Sequence, residues 1–313
     1  MTAGWVAGSV RARAIARRRI GKDEARRLAG CGSLGEALDL LAATPYRTRS
    51  AQAAAGSGGP ALAAAQHAVL SSVLWDLRVL AGWLPQGGTT LMRILAGWYE
   101  IANADERIAE LSGRDTGATF TLGALATAWP TLRRSASLGQ MRAALSASAW
   151  QDPGGDSEQA VQVGMRARWA QRVAGLGEPA RTWAASALVL LLAAERFGAG
   201  RAEHPVLGSV AAGLAGPAAA DAGSLGDLAA RLPRRLHWVL DGVHAPGDLW
   251  RAEAAWWART EQDGMRLLDG PGFDRRPVIG AAVVLAADAR RVAAALEIAA
   301  RGGGAAGAFD AVA

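Results

Sequence analysis

Residues 278–300, VIGAAVVLAADARRVAAALEIAA, carry a pattern that decides the fold. Apolar residues recur there at the three- and four-residue spacing of a helix face. The same spacing runs through residues 36–46 (EALDLLAATPY), 77–84 (LRVLAGWL) and 91–111 (LMRILAGWYEIANADERIAEL). Clusters of β-branched residues in strict alternation, the mark of strands, are nearly absent from the chain. The sequence therefore predicts an all-α protein.

Stretches rich in glycine and proline separate these helical segments and indicate turns or linkers. They are GSGGP at 56–60, PQGG at 85–88, QDPGGD at 151–156, GLAGPAAADAGS at 213–224 and DGPGFDRRP at 269–277. The glycine- and alanine-rich tail at 302–313 is expected to be disordered.

The composition limits the class of protein. Of the 313 residues 51% are apolar, enough for a sizeable core, and the net charge is +6 with Lys22 as the sole lysine. This modest positive charge permits an acidic partner or anionic lipid headgroups without requiring either. The single cysteine, Cys31, excludes an internal disulfide framework and suits a reducing cytoplasm.

No segment is expected to span a membrane or to direct export. The basic residues near the N-terminus follow a short apolar stretch, and no apolar run of signal-peptide length comes after them. The most hydrophobic run, TWAASALVLLLAA at 182–194, is too short to cross a bilayer. Any contact with a membrane would be peripheral.

The tripeptide Ser-Leu-Gly occurs three times, each time followed by an acid or an amide. A serine before a helix can cap the free N–H groups of the first turn, and an acid or amide three residues later can reach back to the backbone. The predicted pairs are Ser33 with Glu36, Ser137 with Gln140, and Ser224 with Asp227.

Longer similarity surrounds the first two of these pairs. Residues 30–49 align with residues 134–153, matching the cap, a leucine at 41 and 145, and an aromatic residue at 46 and 150. Two long helical segments follow each copy, whereas Pro233 makes the third copy fit less well. The pattern predicts three related helical units at 1–115, 116–205 and 206–301.

Four segments resemble the C subunit family of V/A-type rotary ATPases, the relatives of the d subunit of the vacuolar enzyme. They are WVAGSVRARA at 5–14, SLGEALDLLAATPY at 33–46, YEIANADERI at 99–108 and PVIGAAVVLAADARRVAAALEIAARG at 277–302. The echoed positions include Tyr99, Glu100 and Asn103 in the third segment, and Asp288 in the fourth. Ala7 and Ser9 depart from the family pattern, which has asparagine and arginine there.

The resemblance implies a funnel of three similar helical domains around a pseudo-threefold axis. Its hollow would receive the rotating central shaft, and its opposite face would seat on the membrane rotor ring. The chain would then be a non-catalytic coupling subunit without a cofactor. It would be cytoplasmic and peripheral on the cytoplasmic face of the membrane, would touch that membrane through the ring, and would bind no nucleic acid and form no homo-oligomer.

The first helix offers the candidate partner interface. It is rich in arginine, a residue whose guanidinium binds carboxylates in a bidentate manner and which is enriched at binding hot spots. The candidate residues are Arg11, Arg13, Arg17, Arg18 and Arg19. A solvated helix face is the competing interpretation of such a run.

Catalysis of ATP hydrolysis is not expected, because the only lysine lies in IGKDE, where Asp23 replaces the hydroxyl residue of a Walker A loop. A minor alternative is a metal-dependent helical-bundle enzyme that uses His237, Asp241 and His244, which would share one face of an unbroken helix. Gly242 and Pro246 indicate instead that a helix ends there.

The other alternative is a basic helical scaffold or nucleic-acid-binding protein, suggested by the sequence pI of about 10.7. The arginines are spread along the chain among 28 acids rather than concentrated in one stripe.

Overall fold

The computed structural model describes residues 3–46, 59–303 and 306–312, and every regular element in them is helical. These residues contain no strand, so the all-α prediction is confirmed. The helices up to residue 132 are α1 (Ala3–Ala16), α2 (Gly21–Ala29), α3 (Leu34–Ala42), α4 (Gly59–Ala81), α5 (Gly88–Leu95), α6 (Gly97–Leu111) and α7 (Trp129–Leu132). Those that follow are α8 (Leu138–Ser146), α9 (Glu158–Ala174), α10 (Ala180–Ala193), α11 (Pro205–Ala215), α12 (Pro217–Ala220), α13 (Leu225–Arg231), α14 (Leu249–Asp269), α15 (Arg275–Ala300) and α16 (Ala306–Val312).

Helix breaks fall where glycine and proline predict them. α14 ends at Asp269 before the DGPGF turn, and α9 ends at Ala174 before Pro179. Of the predicted break at 56–60, residues 56–58 lie outside the described part of the chain, and Gly59 begins α4. Pro233 ends the helical path after α13, and a 3₁₀ helix, Arg234–Leu240, follows it.

The chain divides into two compact units. The first consists of Met1–Met92, Thr121–Ala124 and Trp257–Ala313, and the second of Arg93–Phe120 and Leu125–Trp256. These limits differ from those of the three units predicted from the repeat. One apolar cluster joins residues 163–193 of the second predicted unit to residues 206–252 of the third. Segments that share one core in this way form one compact unit.

In the first unit, α15 is the central helix and packs against α1, α2, α3 and α4. Its buried residues lie all around its axis, as expected of a helix surrounded by others. Gly280 permits the close contact with α14, since a Cβ there would lie 2.5 Å from the carbonyl oxygen of Gly264.

The second unit has two apolar clusters. One joins α9, α10 and α11 to the 3₁₀ helix at Arg234–Leu240. The other joins α6, α8 and α9 around Trp150, which is 1% exposed. α9 contributes side chains to both clusters and so connects the two parts of this unit's core.

Within the tail at 302–313, for which disorder is predicted, Ala306–Val312 form α16. Phe309 is fully buried, and Asp310 forms ion pairs with Lys22 and Arg26 of α2. A single aromatic anchor and one carboxylate therefore attach a segment whose composition alone predicts no structure.

Among the helices that the structure describes, none combines the length and the apolar character needed to cross a bilayer.

Candidate functional site

Each Ser-Leu-Gly serine caps a helix. The serine Oγ accepts a hydrogen bond from the backbone N–H three residues later, and the side chain at that later position accepts one from the residue before the serine. The first bonds join Ser33 to Glu36 (3.2 Å), Ser137 to Gln140 (3.3 Å) and Ser224 to Asp227 (3.1 Å). The return bonds join Glu36 to Gly32 (2.8 Å), Gln140 to Ala136 (2.8 Å) and Asp227 to Gly223 (2.9 Å). The three motifs are therefore the starts of α3, α8 and α13.

A buried carboxylate, Asp288, lies at the centre of the first unit. It is 0% exposed and accepts hydrogen bonds from the N–H groups of Ile20 (3.0 Å) and Gly21 (2.8 Å), at the start of α2. Tyr46 Oη donates a third bond of 2.8 Å, and Arg291 lies 3.7 Å away. The side chain of Asp288 on α15 thereby fixes α2 and the segment after α3.

The second unit has a corresponding carboxylate, Glu100, which is 1% exposed. It accepts hydrogen bonds from the N–H groups of Thr127 (3.0 Å), Ala128 (2.5 Å) and Trp129 (2.5 Å), at the start of α7. Trp150 Nε1 donates a further bond of 3.1 Å. Negative charge at a helix N-terminus is favourable, so this carboxylate also stabilises α7.

The two centres share the details of a repeat. Tyr46 and Trp150 each follow their capping serine by thirteen residues. Their backbone N–H groups donate to the hydroxyls of Thr44 (3.2 Å) and Ser148 (3.1 Å). Those hydroxyls donate in turn to the carbonyl oxygens of two leucines, Leu41 at 2.7 Å and Leu145 at 2.8 Å.

The third Ser-Leu-Gly lacks this arrangement. The residue thirteen positions after Ser224 is His237, which is exposed and bonds through Nε2 to the carbonyl oxygen of Leu232 at 2.7 Å. The poorer fit of the third copy thus extends from the sequence to the side-chain contacts.

The alternative metal site at His237, Asp241 and His244 is not assembled. His237 lies in the 3₁₀ helix that ends at Leu240, and Gly242 has a φ of 70°, so the three residues do not share one helix face. Within 3–46, 59–303 and 306–312, no three His, Cys, Asp or Glu side chains come close enough together to hold a metal ion.

Arg13, a candidate interface residue, is occupied inside the first unit. Its Nε donates to the carbonyl oxygen of Leu268 (2.8 Å), and its Nη2 donates to those of Gly270 (2.6 Å) and Gly272 (2.8 Å). The guanidinium thereby satisfies carbonyl groups that α14 leaves unpaired at its C-terminus. Arg13 therefore holds the first unit together, and a contact with a partner stays a prediction for it.

The other four arginines differ in how many contacts their side chains make within the first unit. Arg19 donates to the carbonyl oxygen of Ala16 at 3.2 Å, and Arg18 lies 3.5 Å from Asp76 with its side chain 53% exposed. Arg11 stacks over the ring of Trp83, with 5.8 Å between the guanidinium carbon and the ring centroid. Arg17 is exposed, and its side chain forms no ion pair in the described residues.

The sequence offers tryptophans together with the arginines as interface residues, but it does not display the pairing of exposed tryptophans with arginines. Trp75, Trp83, Trp98 and Trp250 are 48%, 52%, 46% and 43% exposed. An arginine guanidinium lies over each of these rings, 5.0 to 5.8 Å from the ring centroid. In the same order, the arginines are Arg78, Arg11, Arg166 and Arg251. Arginine and tryptophan are the residue types most enriched at binding hot spots.

The second unit also contains a polar groove of ≈ 260 Å³ beside α6. Arg107, one of its lining residues, donates through Nη2 to the carbonyl oxygen of Ser135 at 2.6 Å and pairs with Glu110. Glu106 accepts a bond of 2.6 Å from the N–H of Gly117. Arg107 and Glu106 therefore hold segments of their own unit together.

The comparisons with known proteins add no family. No protein-family model and no curated protein matches this chain. The features above define the class: an all-helical protein with a repeated, buried carboxylate centre and exposed arginine–tryptophan pairs.

Proposed function

We propose that this chain is a non-catalytic coupling subunit of a V/A-type rotary ATPase, a socket between the rotating shaft and the membrane rotor ring. The proposal includes a funnel of three related helical domains and a place on the cytoplasmic face of the membrane. It rests on the resemblance of four segments to the C subunit family.

The observation that carries the proposal is the position, in the structure, of residues that echo the C subunit family. Glu100 and Asp288 are the two buried carboxylates among the described residues, and Tyr46 donates to Asp288. Asn103 is fully buried and bonds to the backbone of Phe120 in both directions, at 2.9 and 2.6 Å. These four residues echo the family, and their side chains hold separate segments together, as a shared fold would require.

The mechanical demands of the role also fit the chain. An adaptor that transmits torque needs stiff walls, and interdigitated helices supply these without a cofactor. Each buried carboxylate ties a long helix to the start of another, so opening either centre would leave a charge unpaired. The exposed arginine–tryptophan pairs supply side chains suited to binding protein partners.

The test is a coupling assay on inverted membrane vesicles. The vesicles come from the cells that normally make this protein, after this chain has been deleted from them. We expect ATP-driven ion transport to be lost while the ATPase head still hydrolyses ATP, and the chain supplied on a plasmid to restore transport. Unchanged transport in the vesicles without the chain would contradict the proposal.

A further inference from the structure

The outer face of α1 forms an exposed basic and apolar surface, which we call the α1 surface. Val6 and Val10, one helical turn apart, are 39% and 54% exposed. Trp83 is 52% exposed and lies under the guanidinium of Arg11, a residue of the same helix. With Arg17 and Arg18, these residues complete the α1 surface.

Packing inside the first unit holds this surface in place. Gly8 faces residues 83 and 84, and a Cβ on it would lie 2.4 Å from Cδ2 of Leu84. The glycine thus allows the chain after α4 to approach α1 closely, which places the ring of Trp83 within reach of Arg11. On its other side, α1 is fixed by Ser9 Oγ, which donates to the carbonyl oxygen of Asp274 at 3.0 Å.

The charge of the α1 surface is of one sign. Residues 3–19 contain no acid, and the nearby carboxylate of Asp76 lies 3.5 Å from Arg18. Arg17 has no ion-pair partner in the described residues, and the side chain of Arg18 stays 53% exposed. Guanidinium groups of this kind bind carboxylates in a bidentate manner.

We propose that the α1 surface binds an acidic amphipathic helix of a partner protein. Val6, Val10 and the ring of Trp83 would take the apolar side of that helix, and Arg11, Arg17 and Arg18 its carboxylates. The inference rests on the exposure and charge of this surface and not on which assembly the chain joins.

The composition of the surface favours a protein over other anionic partners. Nucleic-acid phosphates would be placed against the two valines, and exposed apolar side chains gain nothing from phosphate contact. A membrane-surface helix inserts a wide apolar face, whereas Ala12, Ile15 and Ala16 of α1 are already buried in the first unit.

The test uses the full chain and a fluorescent synthetic peptide of about 20 residues, with leucine on one helix face and glutamate on the other. A peptide with lysine in place of glutamate is the matched probe. We expect the acidic peptide to bind and its affinity to fall as salt is added, and the lysine peptide not to bind. Failure of the acidic peptide to bind would overturn the proposal.

Two double variants decide whether binding is at the α1 surface. Arg11→Glu with Arg17→Glu should raise the dissociation constant at least about tenfold. Arg181→Glu with Arg234→Glu makes the same charge change at exposed positions elsewhere and should leave it unchanged. Equal losses in both double variants would overturn the proposal.

Val10→Ser supplies a variant without a charge change, at an exposed position where the folded state is not at risk. It should also weaken binding of the acidic peptide, and unchanged affinity would remove the valines from the site. If duplex DNA or vesicles of anionic lipid bind more tightly than the peptide, and Arg11→Glu with Arg17→Glu abolishes that binding, the protein partner is the wrong class.

Discussion

Tyr46 Oη donates a 2.8 Å hydrogen bond to Oδ2 of Asp288, a residue 242 positions further along the chain. The bond joins the segment after α3 to the central helix of the first unit. Asp288 also holds the start of α2, so one carboxylate joins the central helix to two segments that lie far from it in the sequence. The carboxylate is buried away from water, so a hydrogen bond broken there is not replaced by one to solvent. Such a centre is therefore rigid.

Removing the tyrosine hydroxyl tests this centre. Tyr46→Phe should lower the free energy of unfolding by about 2 kcal/mol, because a hydrogen bond to a charged group is lost. Asp288→Asn should cost more, about 3 kcal/mol, because the asparagine NH₂ group would face the donors that Asp288 now accepts from, while Arg291 keeps its ion pair with Glu261. Urea denaturation measures both.

The double variant separates a direct interaction from two independent effects. Tyr46→Phe with Asp288→Asn should cost less than the two single changes together, by roughly 1 to 2 kcal/mol. Additive losses would show that the two side chains do not interact.

Glu100→Gln probes the corresponding centre of the second unit. The glutamine amide has one acceptor oxygen instead of two, and its NH₂ group would face backbone donors at the start of α7. We expect the amides of Ala128 and Trp129 to exchange with deuterium at least about tenfold faster. Glu110→Gln is the control because the Glu110 side chain is 61% exposed. Equal protection in the two variants would refute the role of Glu100.

Arg13 and Arg17 should respond in opposite ways. Arg13→Lys removes the planar fork that reaches three carbonyl oxygens and should cost about 2 to 3 kcal/mol of stability. Arg17→Lys should stay within about 0.5 kcal/mol of the parent protein, since its side chain is exposed. Thermal unfolding of the two variants makes the comparison, and equal stability would contradict the assignment of Arg13 as a structural residue.

Acid titration tests the ion pair between Arg142 and Asp152. The guanidinium of Arg142 donates two bonds of 2.9 Å to this carboxylate, and Gly154 N–H donates another, which lowers the pKa of Asp152 from 3.8 to about 2. A lowered pKa means that the contribution to stability is complete above pH 3.8 and is lost as the pH falls through 2.

Replacing Arg142 with glutamine should move the pKa of Asp152 back toward 3.8, because the main cause of the shift is removed. NMR titration of the carboxyl carbon measures it. The side chain of Asp152 is 46% exposed, so solvent screening keeps the effect on stability small. An unchanged pKa in the variant would assign the shift to Gly154 alone.

Local rules predicted much of this fold. Apolar spacing predicted the helices, and the serines with their acids or amides marked the starts of α3, α8 and α13. Pro233 made the third copy fit less well in the sequence, and the helical path is interrupted at that residue. These features depend on neighbours within a few positions, which a sequence displays directly.

Features that depend on distant partners were not predictable. Nothing near Arg13 indicates that its partners are carbonyl groups at residues 268 to 272. Phe309 stands alone in a glycine- and alanine-rich segment, so no periodicity marked α16. Asp288 and Glu100 lie within apolar stretches, a signal for burial, but their donors come from segments distant in the sequence.

The most direct measurement of the proposed role is co-purification. The chain would be tagged at its natural level in the cells that make it, its membranes solubilised in mild detergent, and the captured proteins identified by mass spectrometry. Our account predicts that the central-shaft subunits and the rotor-ring subunit of a V/A-type ATPase are recovered together with the chain. Recovery of the chain without any ATPase subunit, from membranes in which the enzyme is present and intact, would contradict it.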